Sequence, residues 1–340
     1  MIPILVAILG LAVLMIVHEL GHHLVARAFK MRVIRFSIGF GPPLWRHQPR
    51  GSDTVYQVAL IPFLAYVQIA GMNPFEESDP EDEGSYANAS LTARILTILA
   101  GPLANYVFAM ALFLGAFLTF GKPVLTTQVS VMPETAAAAA QMRDGDEVVS
   151  IGGTAIDDFE QMRQIILEHP NEPLQFEVLR DGQRVELTVT PEPKGANGQG
   201  QIGVRPERGY EPMTAGEAVA ESIQLPALVV RDLVVGLVQL VVQEEKPEVA
   251  GPVRIVKYGA LMVEAGGYDI LFFLARLSAY LGGFNLLPIP ALDGGRLMFL
   301  GFEAVARRKP NAKMEAQIHA VGLLMFLALI AIVTVQDFQK

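Results

Sequence analysis

The chain of 340 residues is 51% hydrophobic and only 18% charged, a balance foreign to an ordinary soluble enzyme and suited to membrane insertion. Lys and Arg number 26 against 35 Asp and Glu, for a net charge of −9. No basic cluster is interleaved with aromatics, so the phosphate-neutralising surface of a nucleic-acid binder is missing and nucleic acid is excluded as the main partner. There is no cysteine, which removes disulfide scaffolds, thiol catalysis and Cys-ligated metal and leaves His, Asp and Glu to hold any cation.

The first apolar run, Ile2 to Val17, has no basic residue ahead of it and no small-residue cleavage site behind it, and reads as a retained span. It continues as a helix through His18 to Phe29, which makes residues 1–30 the first transmembrane helix. Residues 31–72 are apolar but too broken by Gly, Pro and charge for a helix. Thr54 to Ile61 alternates as a strand does, as do parts of Arg35 to Trp45, so a membrane-associated β element is expected there. Residues 73–93 carry Glu76, Glu77, Asp79, Glu81, Asp82 and Glu83 and read as a solvated acidic loop. The second span covers 94–121, where Ile95 to Gly121 holds no formal charge.

Residues 122–206 read as a compact soluble module. Glu134 to Gln141 is expected as a helix, Asp144-Gly145-Asp146 as a turn and Glu147 to Ile151 as a strand. A helix over Asp158 to Leu167 and a hairpin around Asp181-Gly182 follow. The pattern resembles a PDZ domain of the bacterial membrane-protease type, with Met142-Arg143 standing where Gly-Leu is usual. From Pro212 to Val242 apolar residues recur at helical spacing beside Glu217, Glu221, Arg231 and Asp232, so residues 207–269 are expected to hold an amphipathic helix on the membrane surface. A third span over 270–305 must be irregular, because Pro288 and Pro290 cannot both sit in an unbroken helix. A fourth occupies 315–337. The fold class is therefore a multi-pass α-helical membrane protein of about four transmembrane helices, with the β element and an extracytoplasmic PDZ domain.

Orientation follows from short-loop basic residues. Arg27, Lys30, Arg32 and Arg35 after the first span, and Arg307, Arg308, Lys309 and Lys313 before the fourth, place both loops in the cytoplasm. The module and both termini then lie outside it.

His18-Glu19-Leu20-Gly21-His22 matches H-E-x-x-H on a helix. At 100° per residue the two histidines lie about 40° apart on one face, so both imidazoles reach one zinc. Glu19 stands beside them, free to act as a base. Ionisable groups at membrane depth cost roughly 2.5 kcal/mol or more each and persist where they work. His23 points away and is expected at the interface, not among the ligands. His47, His169 and His319 have no supporting context. A catalytic zinc needs a third protein ligand, and Asp293 is the candidate: a carboxylate at membrane depth directly after a proline-broken helix, within Asn285 to Gly295. His18 lies about 24 Å along the helix from Ile2, toward the cytoplasmic side.

With these motifs the chain resembles the site-two protease family of intramembrane zinc metalloproteases, close to the bacterial branch that cuts anti-sigma factors. The likeness runs through HELGH, Gly39-Phe40-Gly41-Pro42, Ile61-Pro62-Phe63 with Tyr66-Val67, Gly101-Pro102 with Asn105, Gly251-Pro252, and Asn285 through Gly295. It implies zinc on His18, His22 and Asp293, Glu19 as catalytic base, substrate contacts at Asn285, Asn105, Tyr66 and Val67, and a bacterial inner-membrane location. The implied substrates are transmembrane proteins, anti-sigma factor-like or signal-peptide remnants, met within the lipid bilayer. Two other classes compete: a zinc-binding membrane transporter, and a PDZ adaptor whose membrane part only anchors. The first has no use for Glu19 at this spacing, and the second leaves three buried ionisable groups unexplained.

Overall fold

The computed structural model describes residues 1–73, 81–194, 197–242 and 250–339. The chain divides into two compact units, Met1–Thr119 with Thr214–Lys340, and Phe120–Met213. Of the acidic loop expected at 73–93, Glu76, Glu77 and Asp79 lie outside the described residues. Asp82 within it is no idle solvated acid. It receives the Arg32 guanidinium and the Gly84 amide and so folds the turn.

In the helical unit, α1 (Ile2–Ala28) leads into a curled antiparallel pair, β1 (Val33–His47) and β2 (Val55–Ile69). β1 meets β2 twice: Ile38 is registered against both Ala65 and Val58, so the first half of β1 runs between the two halves of β2. The bend falls at Gly39 and Gly41, with φ of 93° and 95°, values that favour glycine. α2 (Leu91–Phe120) follows.

The second unit is a sheet ordered β10-β3-β4-β6-β7. Its strands are β3 (Lys122–Val131), β4 (Asp146–Ile151) with the short β5 (Thr154–Ala155), β6 (Leu174–Arg180), β7 (Gln183–Val189) and β10 (Val204–Glu211); β8 (Glu192–Lys194) and β9 (Gln199–Gln201) pair separately. Helices α3 (Ala136–Ala139) and α4 (Phe159–Glu168) complete it. Its core joins Val129, Val148, Met162, Ile166, Phe176, Val178 and Val189. The expected helix at 134–141 shrinks to Ala136–Ala139, and the unit extends past 206 because β10 closes against β3 out to Glu211↔Lys122.

The chain returns to the helical unit through α5 (Ala215–Val242), α6 (Pro252–Ala265), α7 (Gly267–Asn285), α8 (Asp293–Ala306) and α9 (Ala312–Gln339). Among the described residues, α1, α2 and α9 are long and apolar enough to cross a membrane. α5 packs one stripe against protein, Val229 with Ala109 of α2 and Ala279 of α7, and Val230 and Leu233 on Gly283, while Val219, Ile223, Val234, Val235 and Val238 stay exposed. The span expected over 270–305 is two helices, α7 and α8, separated by Leu286 to Leu292, where Pro288 and Pro290 remove two backbone donors.

Candidate metal centre and active site

Small residues let three helices close on one point. A Cβ on Gly21 would strike the Ala100 carbonyl, and one on Gly101 would strike the His22 imidazole and come within 2.9 Å of His18 Nε2. α2 therefore lays bare backbone against both histidines of α1. α8 is brought in by two devices. Arg94 of α2 holds Glu303 through both carboxylate oxygens, at 2.9 and 2.5 Å, a bidentate pair that fixes direction as well as distance. Gly294 and Gly295 nest on the carbonyls of Leu286, Leu287 and Ile289, so the first turn of α8 starts directly beneath the proline segment. Asp293 is the first residue of that helix, where the helix dipole favours a carboxylate.

The result is a triangle. Asp293 Oδ2 lies 3.1 Å from His18 Nε2 and 3.3 Å from His22 Nε2, and the two nitrogens are 3.2 Å apart. His22 Nδ1 donates to the Thr97 carbonyl at 2.7 Å, so its Nε2 is the lone-pair nitrogen, and the second donor position is spent on orienting the ring. Two imidazole nitrogens, that of His22 with its lone pair inward, and a carboxylate oxygen thus converge as a group that could hold a cation. Their separations match the edge of a zinc tetrahedron, about 3.3 Å for bonds of about 2.0–2.1 Å. No other such group occurs among the described residues.

Glu19 Oε2 accepts the Val67 amide at 2.9 Å. This N–H points out of the β1–β2 ladder toward α1, so the outer edge of β2 at Val67 faces the glutamate. Tyr66 turns the other way, its ring 5.0 Å from Phe40 and its hydroxyl 3.4 Å from Arg35. Asn105 is fully buried with neither amide atom partnered. Asn285 donates to the Leu281 carbonyl of its own helix at 3.0 Å. His23 is not interfacial as expected but buried, its Nε2 3.2 Å from the Tyr56 hydroxyl and its ring edge on Phe36. It anchors the hairpin to α1, because a pleated apolar surface covers that face of the helix.

Thr97, Gly101 and the Val67 amide carry no sequence signal for these roles. Backbone groups and absent side chains leave no residue type to read.

The profile described as Peptidase family M50 matches residues 6–329. The chain belongs to that family. A Nostoc sp. relative carrying a zinc metalloprotease name is 34% identical over 96% of this chain and 93% of its own. Zinc metalloprotease RasP of Geobacillus kaustophilus is 30% identical over 95% and 94%. A PDZ domain from Listeria innocua, 16% identical with a TM-score of 0.22, covers 25% of this chain and 94% of that one. The protein is a zinc metalloprotease of the site-two type, and the donor set of the triangle suits zinc, which takes imidazole and carboxylate in tetrahedral array.

In the second unit, the amides of Met142, Arg143, Gly145 and Asp146 in the loop are engaged within the protein. The Arg143 N–H goes to Asp146 Oδ2 at 2.8 Å, and Asp144 Oδ1 takes the Val131 N–H at 2.6 Å. A cavity of about 290 Å³ lies elsewhere, between α4 and Gly200 to Pro206, with Met162, Ile166, Ile202 and Val204 in its wall.

Proposed function

We propose that the protein hydrolyses peptide bonds within or near the transmembrane segments of single-pass membrane proteins, anti-sigma factor-like chains after ectodomain trimming and signal-peptide remnants among them. His18, His22 and Asp293 hold the zinc, and Glu19 is the base. The observation that carries the proposal is the convergence of three ligand-type atoms within 3.3 Å of one another beside a glutamate tied to a strand edge.

When bound, zinc supplies Lewis acidity, polarising a substrate carbonyl and acidifying water. Glu19 takes the proton released at attack and delivers it to the leaving amine, and the Val67 amide keeps its carboxylate aimed. A transmembrane helix hides its carbonyls in its own hydrogen bonds and must be unwound to be cut. The β2 edge at Tyr66-Val67 receives the extended segment. Asn105, with both amide atoms unspent, and Asn285, on exchanging its Leu281 bond, replace the lost backbone partners. The chain crosses the bacterial inner membrane four times, the α7–α8 pair counting as one crossing. The second unit is an extracytoplasmic PDZ domain, both termini are outside, and the site opens toward the cytoplasm, where Arg27, Lys30, Arg307 and Arg308 lie.

The test is cleavage of a model transmembrane substrate by wild type and Glu19→Gln, with zinc measured in both. The variant should keep its zinc and lose about 10²–10⁴ in rate, as removal of a general base does. Undiminished turnover overturns the assignment of Glu19.

A further inference from the structure

The segment that delivers Asp293 turns through a strained residue. Pro288 and Pro290 have no N–H, and Ala291 adopts φ of 77°, a left-handed conformation that alanine rarely takes unless its surroundings impose it. Leu292 N donates to the Ile289 carbonyl and closes a β-turn with Pro290 and Ala291 at its centre, so Ala291 holds the position that glycine usually fills in a turn of this kind. Its N–H is taken from outside, by His319 Nδ1 of α9 at 3.0 Å. One turn on, a Cβ at Gly322 would strike Pro290, so α9 is bare there and lies flush on the proline segment. Phe299 of α8 steadies the imidazole at 5.6 Å between ring centres. Accepting an amide at Nδ1 places the ring proton on Nε2, an atom that is buried and without a partner. An imidazole kept in that setting serves something other than its own solvation.

We propose that His319 is a positioning residue for the metal centre: by accepting the Ala291 amide it clamps the left-handed turn that carries the Asp293 carboxylate to His18 and His22. One residue, Leu292, separates Ala291 from Asp293. A change of φ at Ala291 re-aims every atom after it, so the clamp acts on the ligand's direction while staying clear of substrate. α9 thereby becomes part of the zinc site without touching it. The inference rests on Asp293 being a zinc ligand, as proposed above.

The experiment uses the full-length protein in detergent and reads zinc affinity by chelator competition, together with the visible spectrum of the cobalt-substituted form, which reports ligand geometry. His319→Leu and His319→Asn remove the same ring and are close in size, but asparagine keeps an acceptor near the position of Nδ1. The leucine variant should bind zinc about 10–100-fold more weakly, the usual cost of losing an orienting partner, with an altered cobalt spectrum. The asparagine variant should stay within about threefold of wild type, since its acceptor remains. Adding Ala291→Gly to His319→Leu should recover most of the affinity, because glycine takes the left-handed conformation unaided. Wild-type affinity in His319→Leu, equal losses in the leucine and asparagine variants, or no recovery with glycine each overturn the proposal. If the leucine variant does not accumulate, His319→Asn decides: a loss beyond about tenfold in that variant overturns the clamp. Asp293→Ala separates the two readings. Zinc retained there refutes the ligand assignment itself, whereas zinc lost there but unaffected by His319→Leu refutes the clamp alone.

Discussion

Asp293 in the helical unit and Asp146 in the β unit are both withdrawn from water, yet their surroundings are opposite. Asp146 is met by donors: Arg180 Nε at 2.8 Å, Arg180 Nη2 at 2.7 Å and the Arg143 N–H at 2.8 Å. Every lone pair that matters there has a proton facing it. Asp293 Oδ2 is met by imidazole nitrogens at 3.1 and 3.3 Å, one of which has its proton committed to Thr97. A buried acid is therefore not a functional signal by itself. What distinguishes the two is whether the neighbours bring protons or lone pairs, and only the second arrangement calls for a cation.

The sharpest way to break this contrast is to remove each carboxylate in turn. Asp293→Ala should abolish stoichiometric zinc and all proteolysis while leaving the β unit folded, measured by metal analysis and by hydrogen exchange in β4 and β6. Asp146→Ala should do the reverse, costing the β unit about 3 kcal/mol through the stranded Arg180 with zinc content unchanged. Zinc loss in the second variant would mean that the two regions are not independent.

A smaller effect is expected from Gly101→Ala. Alanine favours a helix over glycine by about 1 kcal/mol, so α2 itself should gain. The added methyl group collides with His22, and zinc affinity should fall about 10–100-fold. Unchanged affinity would mean that the close approach of α2 is not what fixes the imidazoles.

Acid should separate the regions too. Burial pushes Asp146 up, but the Arg180 hydrogen bond, the Arg143 amide and the charges of both arginines outweigh it and hold the carboxyl below its usual value. A carboxyl lowered in the folded state contributes stability that is fully present above its unfolded value of about 4 and is lost as the pH falls through the folded value. Exchange protection of β4 should decline over that acid range in wild type and be flat in Asp146→Asn. A decline of equal size in the variant would remove Asp146 as the cause.

The smallest expected change concerns the role of the β unit toward substrates. If it excludes bulky ectodomains, replacing 122–211 with a flexible linker should permit cleavage of an untrimmed substrate without speeding a trimmed one. If the cavity beside α4 recruits peptide instead, deletion should slow the trimmed substrate and leave the untrimmed one resistant. Four initial rates decide, and equal rates with and without the unit reject both roles.

Local pattern was enough for much of this. The spacing in His18-Glu19-Leu20-Gly21-His22 brings two imidazoles to one helix face whatever the rest of the chain does, because helical periodicity is a property of the backbone. Pro288 and Pro290 announced the break before Asp293 for an equally local reason, the loss of two donors. The alternation in Thr54 to Ile61 likewise marked a strand, and the absence of cysteine confined the ligand chemistry to His, Asp and Glu.

Other features exist only once distant segments meet. The tautomer of His22 depends on the carbonyl of Thr97, the aim of Glu19 on the amide of Val67, and the turn at Ala291 on His319. Each is a contact with a backbone group, which every residue type possesses and no sequence pattern advertises. α5 is apolar on more than one side, and an apolar stripe seeks any apolar partner, lipid or protein. Only tertiary packing shows which stripe protein covers, the one through Val229 against Ala109 and Ala279, and which stays exposed, at Val234, Val235 and Val238. His23 was misplaced for the same cause: its angle on α1 was correct, but the hairpin that covers that angle is made by residues 33–69, and their curl against α1 is a tertiary choice.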